Sequence, residues 1–378
     1  MAYLKAMRPA RPRAVSLALM TSGGATLGYI QDRVGRALHD FLQVQRPVLL
    51  GAGQELGPGL DALTSLLAGG KRLRAAFCYW GWRGAGGEDC PQILAAAAAL
   101  ELLHSSALVH DDVMDGSDSR RGQPSLHRQF ANRHAAQRWH GSPEAFGAAA
   151  AILLGDLLLA WTDQMFQASG LPPEALRRGQ TVLGLMRTEV MAGQYLDLLG
   201  QAAGDETLAS ALRVVEYKTA KYTIERPLQL GAVLAADTGP ADRPGNATAT
   251  AYGLPLGVAF QLRDDILGLF GDPAQTGKPS GDDVREGKRT VLLAITRARA
   301  SARQGAIIDR RLGNPYLDEA GVAEIRAVIV GTGALAECEL MIDRHVAQAL
   351  SALDAAPITG EAKAALAELA VTATARRG

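Results

Sequence analysis

The sequence predicts an all-α protein built as a single domain. Period-two alternation of apolar and polar residues is almost absent, β-branched runs are few, and long Ala- and Leu-rich stretches carry apolar residues at helical spacing. The chain has 378 residues, but no composition shift marks a linker, and 48% hydrophobic residues can fill a sizeable core. Lys+Arg and Asp+Glu balance at 39 each, and no basic surface interleaved with aromatics is visible, so nucleic acid is excluded as a partner. The three cysteines, Cys78, Cys90 and Cys338, form neither a metal pattern nor a disulfide framework, which points to a reducing, cytoplasmic setting. No apolar run approaches the length of a bilayer-crossing helix, so no stable membrane span is expected.

Taken in order, residues 1–25 read as a mobile basic tail and 26–375 as the folded domain. Lys5, Arg8, Arg11 and Arg13 before a short apolar stretch resemble a signal peptide only superficially. Val34, Leu38, Phe41 and Leu42 mark a first amphipathic helix over 27–50, and a short helix over 60–68 ends at Gly69-Gly70. Lys71, Arg72, Leu73 and Arg74 open the next helix. A long apolar helix spans 93–114, a loop 116–143, and further helices 144–168 and 172–199. The helix over 208–236 contains Pro227 and is expected to kink there. Another follows over 247–269, residues 271–287 form a lid-like loop, and three or four amphipathic helices fill 288–375.

Two stretches carry the chemistry. In the first, residues 104–127, an apolar helix runs into Asp111, Asp112 and Asp115, then into Arg120-Arg121-Gly122. Asp111 and Asp115 are four apart and share a helix face, whereas Asp112 is rotated away. Carboxylates this close repel unless a cation stands between them, and Mg²⁺ shared with substrate phosphates fits. Guanidinium forks nearby suit phosphate oxygens. A solvated acidic helix end is the competing reading. It fits poorly, because the preceding run is too apolar and acids at a helix C-terminus oppose the macrodipole. The second stretch, 259–290, repeats the design with Phe260, Gln261, Asp264 and Asp265 on an apolar helix. A Gly-rich loop follows, with Lys278, Asp282, Asp283 and Lys288.

These motifs resemble those of the trans-isoprenyl diphosphate synthases of the polyprenyl synthetase family, of the kind that includes bacterial geranylgeranyl diphosphate synthases. The likeness adds Gly69-Gly70-Lys71-Arg72-Leu73-Arg74, His104, Gly193-Gln194 with Asp197-Leu198, and Lys218-Thr219-Ala220 with Tyr222, and extends over roughly 30–350. It implies the isoprenoid synthase fold: roughly a dozen helices around a central cavity, usually as a homodimer.

It also implies head-to-tail condensation. Asp111, Asp112, Asp115, Asp264 and Asp265 would hold three Mg²⁺ ions on the diphosphate of a dimethylallyl, geranyl or farnesyl primer. Arg120, Lys218, Lys278 and Lys288 would take further oxygens, with Thr219 beside them. Lys71, Arg74, His104 and Arg121 would hold isopentenyl diphosphate. Gln194 would touch the allylic region, and Asp197 would order the metal site. Phe260 and Gln261 would line an apolar cavity that keeps water from the carbocation.

One position departs from the family pattern: Gly268 stands where a third aspartate is expected, four residues after Asp264. Asp264 is expected to keep the metal role, supported by Asp265 and by Asp282 or Asp283. Chain length is expected to depend on Leu103, Ser106 and Ala107, just before the first aspartates. Ser106 and Ala107 are small, which suits a product of twenty carbons, geranylgeranyl diphosphate, or longer. A farnesyl product is the shorter alternative. A terpene cyclase would not need the second diphosphate site, a non-catalytic subunit of a heteromeric synthase would be expected to lose aspartates, and a head-to-head synthase would not need the isopentenyl site.

Overall fold

The computed structural model describes residues 17–235, 244–271 and 281–374. Among these, helices α1 (Leu17–Ala52), α2 (Gly57–Ala68), α3 (Leu73–Gly84) and α4 (Pro91–Met114) come first. A two-stranded antiparallel ladder, Ser119–Arg120 with Gln123–Pro124, precedes α5 (Leu126–Ala136). Then come α6 (Pro143–Gln167), α7 (Pro173–Ala203) and α8 (Leu208–Val214). A π-helical stretch, Val215–Glu225, runs straight into α9 (Arg226–Ala235). Next are α10 (Pro244–Phe270), α11 (Asp282–Arg285), α12 (Val291–Arg299) and α13 (Ala302–Arg311), and the chain ends in α14 (Glu319–Gly331), α15 (Ala334–Ala355) and α16 (Gly360–Thr374). The architecture is the all-α fold the sequence predicts.

Local signals set the boundaries. Pro91, Pro143 and Pro173 occupy first helical turns, where a missing N–H costs nothing. Ser142, Thr290 and Asp318 cap α6, α12 and α14, and Ser301 with Gln304 forms a reciprocal capping box on α13. Pro227, where a kink was expected, falls just after the π-helical stretch, at the start of α9.

Two helices organise the packing. α4 is apolar around most of its circumference and is buried accordingly, against α6, α3 and α1. α10 joins two core clusters. Its Tyr252 and Leu256 belong to one, around Phe77, Leu100 and Leu183, and its Leu262 and Ile266 to another, around Val291 and Ile325. Gly193 and Gly257 let α7 and α10 press on the π-helical stretch, for a Cβ on either would run into the backbone of Lys218 or Ala220.

Several expectations need correction. The first helix begins at Leu17, so only residues 1–16 of the expected tail lie outside the described residues. The expected loop 116–143 contains α5, whose apolar residues Leu126, Phe130 and Ala131 are sparse enough to hide its periodicity. Five helices, not three or four, occupy 288–375. Two helices, Pro91–Met114 and Pro143–Gln167, are long and apolar enough to cross a membrane by length and composition, contrary to the reading that no run is. In both, runs of alanine lengthen the apolar stretch. α4 is a core helix, 72% of its apolar window being buried, whereas α6 buries only 33%.

Candidate active site

α4, the π-helical stretch, α10 and the 281–290 segment converge on one cavity of about 890 Å³. On its acidic side, the Lys218 ammonium lies 2.7 Å from Asp197 Oδ2 and 3.4 Å from Asp111 Oδ1. The Lys288 ammonium lies 3.0 Å from Asp115 Oδ2, 2.6 Å from Glu286 Oε2 and 3.7 Å from Asp283 Oδ1. Each carboxylate of the first i, i+4 pair therefore faces a lysine. Burial raises the Asp111 carboxyl, but Lys218, Lys288 and Arg120 outweigh it and hold it below the usual range. Burial dominates at Asp115 and raises it. The ladder carries Arg120 back over the helix end, where its guanidinium grips Asp112 through Nε at 3.0 and 3.3 Å and through Nη2.

On α10, Asp264, Asp265, Gln261 and Phe260 line the cavity. Thr219 donates to Gln261 Oε1 at 2.6 Å, and the Gln261 amide donates to Asp265 Oδ1 at 2.7 Å. Burial pushes Asp265 up to about 8. This chain fixes Gln261 between the π-helical stretch and the second acidic motif.

The opposite side is basic. Arg72 adopts a left-handed conformation, and its buried guanidinium pairs with Glu101 at 3.2 Å while also bonding the Leu67 carbonyl. Arg74 stacks over Tyr222, 4.4 Å from the ring centroid, and donates to Thr223 at 2.8 Å. Arg121 donates to the Leu66 carbonyl at 2.9 Å. Burial, then Arg74, Arg121 and Arg120, hold His104 well below its ordinary value, so its ring is neutral. With four cationic residues lining this end and Glu101 as the acid among them, the subsite favours an anion.

The structure brings together Lys71, Arg74, His104, Asp111, Arg120, Arg121, Lys218, Thr219, Phe260, Gln261, Asp264, Asp265 and Lys288 around the cavity. It does not bring all the expected residues there. Asp112, expected on the metal, is buried against Arg120, because one helical step turns it about 100° from Asp111. Asp115 meets Lys288 at the edge of the cavity, outside its lining. The Gln194 amide nitrogen is buried, lies outside the lining and finds no partner among the described residues. Lys278 lies outside the described residues. On α4 the lining stripe is Glu101, His104, Leu108 and Asp111. Leu103, Ser106 and Ala107 sit off that stripe, the first two buried in packing and Ala107 half-buried. Sequence reasoning missed Arg72, Glu101 and Leu108. Glu101 and His104, three apart on one face, were a readable signal.

All the candidate ligands on the acidic side are carboxylates, the donor class of Mg²⁺. No three His, Cys, Asp or Glu side chains among the described residues form a closed cage. Asp115 Oδ1 is buried without a hydrogen-bond partner among them. Such a set fits a cation held by one or two carboxylates and completed by substrate phosphate oxygens.

The chain is similar to known proteins of one family. A family model for polyprenyl synthetase matches residues 60–329. A heptaprenyl diphosphate synthase component 2 of Geobacillus stearothermophilus is 32% identical over 344 residues, 89% of this chain and 97% of that protein. A geranylgeranyl diphosphate synthase of Mycobacterium tuberculosis is 34% identical over 284 residues, 74% of each chain. The crystal structure of a geranylgeranyl pyrophosphate synthase from Corynebacterium glutamicum, complexed with isoprenyl diphosphate and magnesium, superposes with a TM-score of 0.87 at 40% identity. The match covers 93% of this chain and 99% of that one. The chain belongs to the polyprenyl synthetase family and is a trans-prenyltransferase that condenses isoprenyl units.

Proposed function

We propose that the chain condenses isopentenyl diphosphate with an allylic diphosphate and releases geranylgeranyl diphosphate. The observation that carries this reading is the polarity of the cavity, with carboxylates and lysines at one side and a basic subsite around His104 at the other. Two diphosphates can be held at once, one through a cation and one by side chains alone. A cyclase needs only the first.

Asp111, Asp115 and Asp264 would hold Mg²⁺, with three ions as the number the resemblance implies. Bound there, the metal would neutralise the allylic diphosphate and make it a better leaving group. Arg120 and Lys218 take its remaining oxygens, and Asp112 holds Arg120 in place. Lys71, Arg74 and Arg121 bind isopentenyl diphosphate, and neutral His104 adds a hydrogen bond. This alignment sets the double bond against the allylic carbon. The C–O bond breaks, the new C–C bond forms, and the proton leaves with the departing diphosphate. Phe260 and Leu108 keep water from the cation. The small Ser106 and Ala107, within two turns before Asp111, support room for a twenty-carbon tail.

We also propose a homodimer. Leu185, Met191, Tyr195 and Leu199 on α7, and Ile152 and Leu153 on α6, are exposed large apolar residues suited to burial against a second copy. Three free cysteines support a cytoplasmic location.

Calorimetry with and without chelator tests the two-site reading. Isopentenyl diphosphate should bind without Mg²⁺, and farnesyl diphosphate only with it. A Mg²⁺ requirement for both would contradict the division of the cavity.

A further inference from the structure

Gly268 follows Asp264 by one helical turn and points from the same face of α10 into the cavity. Its missing side chain leaves a gap, and the gap is filled. A Cβ at 268 would collide with Asp283 Oδ2 and lie 3.3 Å from its Cγ. The returning segment is tied to the same residue, because the Gly281 N–H donates to the Gly268 carbonyl at 3.0 Å. Gly281 turns with a left-handed φ of 88° over Val322, and α11 starts there. Arg285 donates to Asp282 at 2.9 Å, whereas Asp283 reaches back to α10 and toward Lys288, which also meets Asp115 at the edge of the cavity.

We propose that Asp283 supplies the carboxylate that α10 lacks one turn after Asp264. The second acidic pair is thus Asp264 from the helix and Asp283 from the loop. It is complete only when the 281–288 segment is docked on Gly268. Gly268 and Asp283 form one unit: the glycine makes room for the acid that replaces its own side chain. The inference rests on the two-diphosphate reading of the cavity.

The test counts Mn²⁺ bound to the full chain by electron paramagnetic resonance in saturating inorganic pyrophosphate, alongside elongation assays. Asp283→Asn keeps the side-chain volume and should weaken Mn²⁺ binding about tenfold. Gly268→Asp should also weaken it, by collision. The double variant Gly268→Asp, Asp283→Gly should return Mn²⁺ affinity to within about threefold of the parent, with circular dichroism confirming the fold, because the carboxylate is regained from the helix side. Parent-like Mn²⁺ affinity in Asp283→Asn, or a double variant no better than Asp283→Gly alone, would overturn the proposal. Because Mn²⁺ binding needs no turnover, a parent chain that fails to elongate any primer would sink the elongation reading separately.

Discussion

The Lys218 ammonium sits 2.7 Å from Asp197 Oδ2, a contact from the π-helical stretch to α7 that steers the side chain toward Asp111. Gly193, one turn before Asp197, permits the close approach of the two backbones. Asp197→Asn should release Lys218 and lower kcat/KM for the allylic diphosphate about tenfold to hundredfold, ~1.4–2.8 kcal/mol of barrier. Steady-state kinetics with each substrate varied checks this. The KM for isopentenyl diphosphate should stay put, and a shift of equal size there would count against a role confined to the allylic side.

Asp111 and Asp112 are neighbours with different tasks. Asp112 is buried against Arg120, whereas Asp111 faces the cavity and Lys218. Asp111→Asn should abolish Mg²⁺-dependent binding of a pyrophosphate probe. Asp112→Ala should keep measurable metal binding but lower thermal stability, since breaking a buried pair costs about 3–5 kcal/mol. Arg120→Lys should not rescue function, because an ammonium cannot replace the guanidinium fork on Asp112. Metal titration and thermal melts of the three variants separate these outcomes.

His104 gives a pH signature. Burial and the surrounding arginines depress its folded-state value, so between that value and about 6.5 the unfolded chain binds the extra proton. Stability should therefore hold above about pH 6.5 and fall as pH drops below it. His104→Gln should flatten that acid limb. Parallel melting profiles of the two proteins between about pH 5 and 8 check the sign; identical slopes would contradict it.

Product length offers a steric test. A Ser106→Phe substitution should shorten the product. It should also cost about 1–3 kcal/mol through overpacking, since Ser106 is buried. Sizing the dephosphorylated products checks the first expectation and a thermal melt the second. An unchanged product ladder would remove Ser106 from length control.

The aspartates were legible in the sequence because helical geometry is local: four residues apart means one face, and the Asp111/Asp115 pair obeys it. The same rule, applied one residue further, separated Asp112 from them. What could not be read is contact between distant residues. Arg72 meets Glu101 across 29 positions, and Asp283 fills the gap at Gly268 only because the chain turns back at Gly281. The stripe of α4 that faces the cavity depends on where α10 and the π-helical stretch pack, so Leu108 was missed. α5 escaped because its buried residues are few.

The most direct test uses purified full chain, Mg²⁺, radiolabelled isopentenyl diphosphate and, in turn, dimethylallyl, geranyl and farnesyl diphosphate. Label should appear in a single twenty-carbon product with the farnesyl primer and be lost when Mg²⁺ is chelated. No incorporation with any primer, by a chain that still binds Mg²⁺ and pyrophosphate, would contradict it.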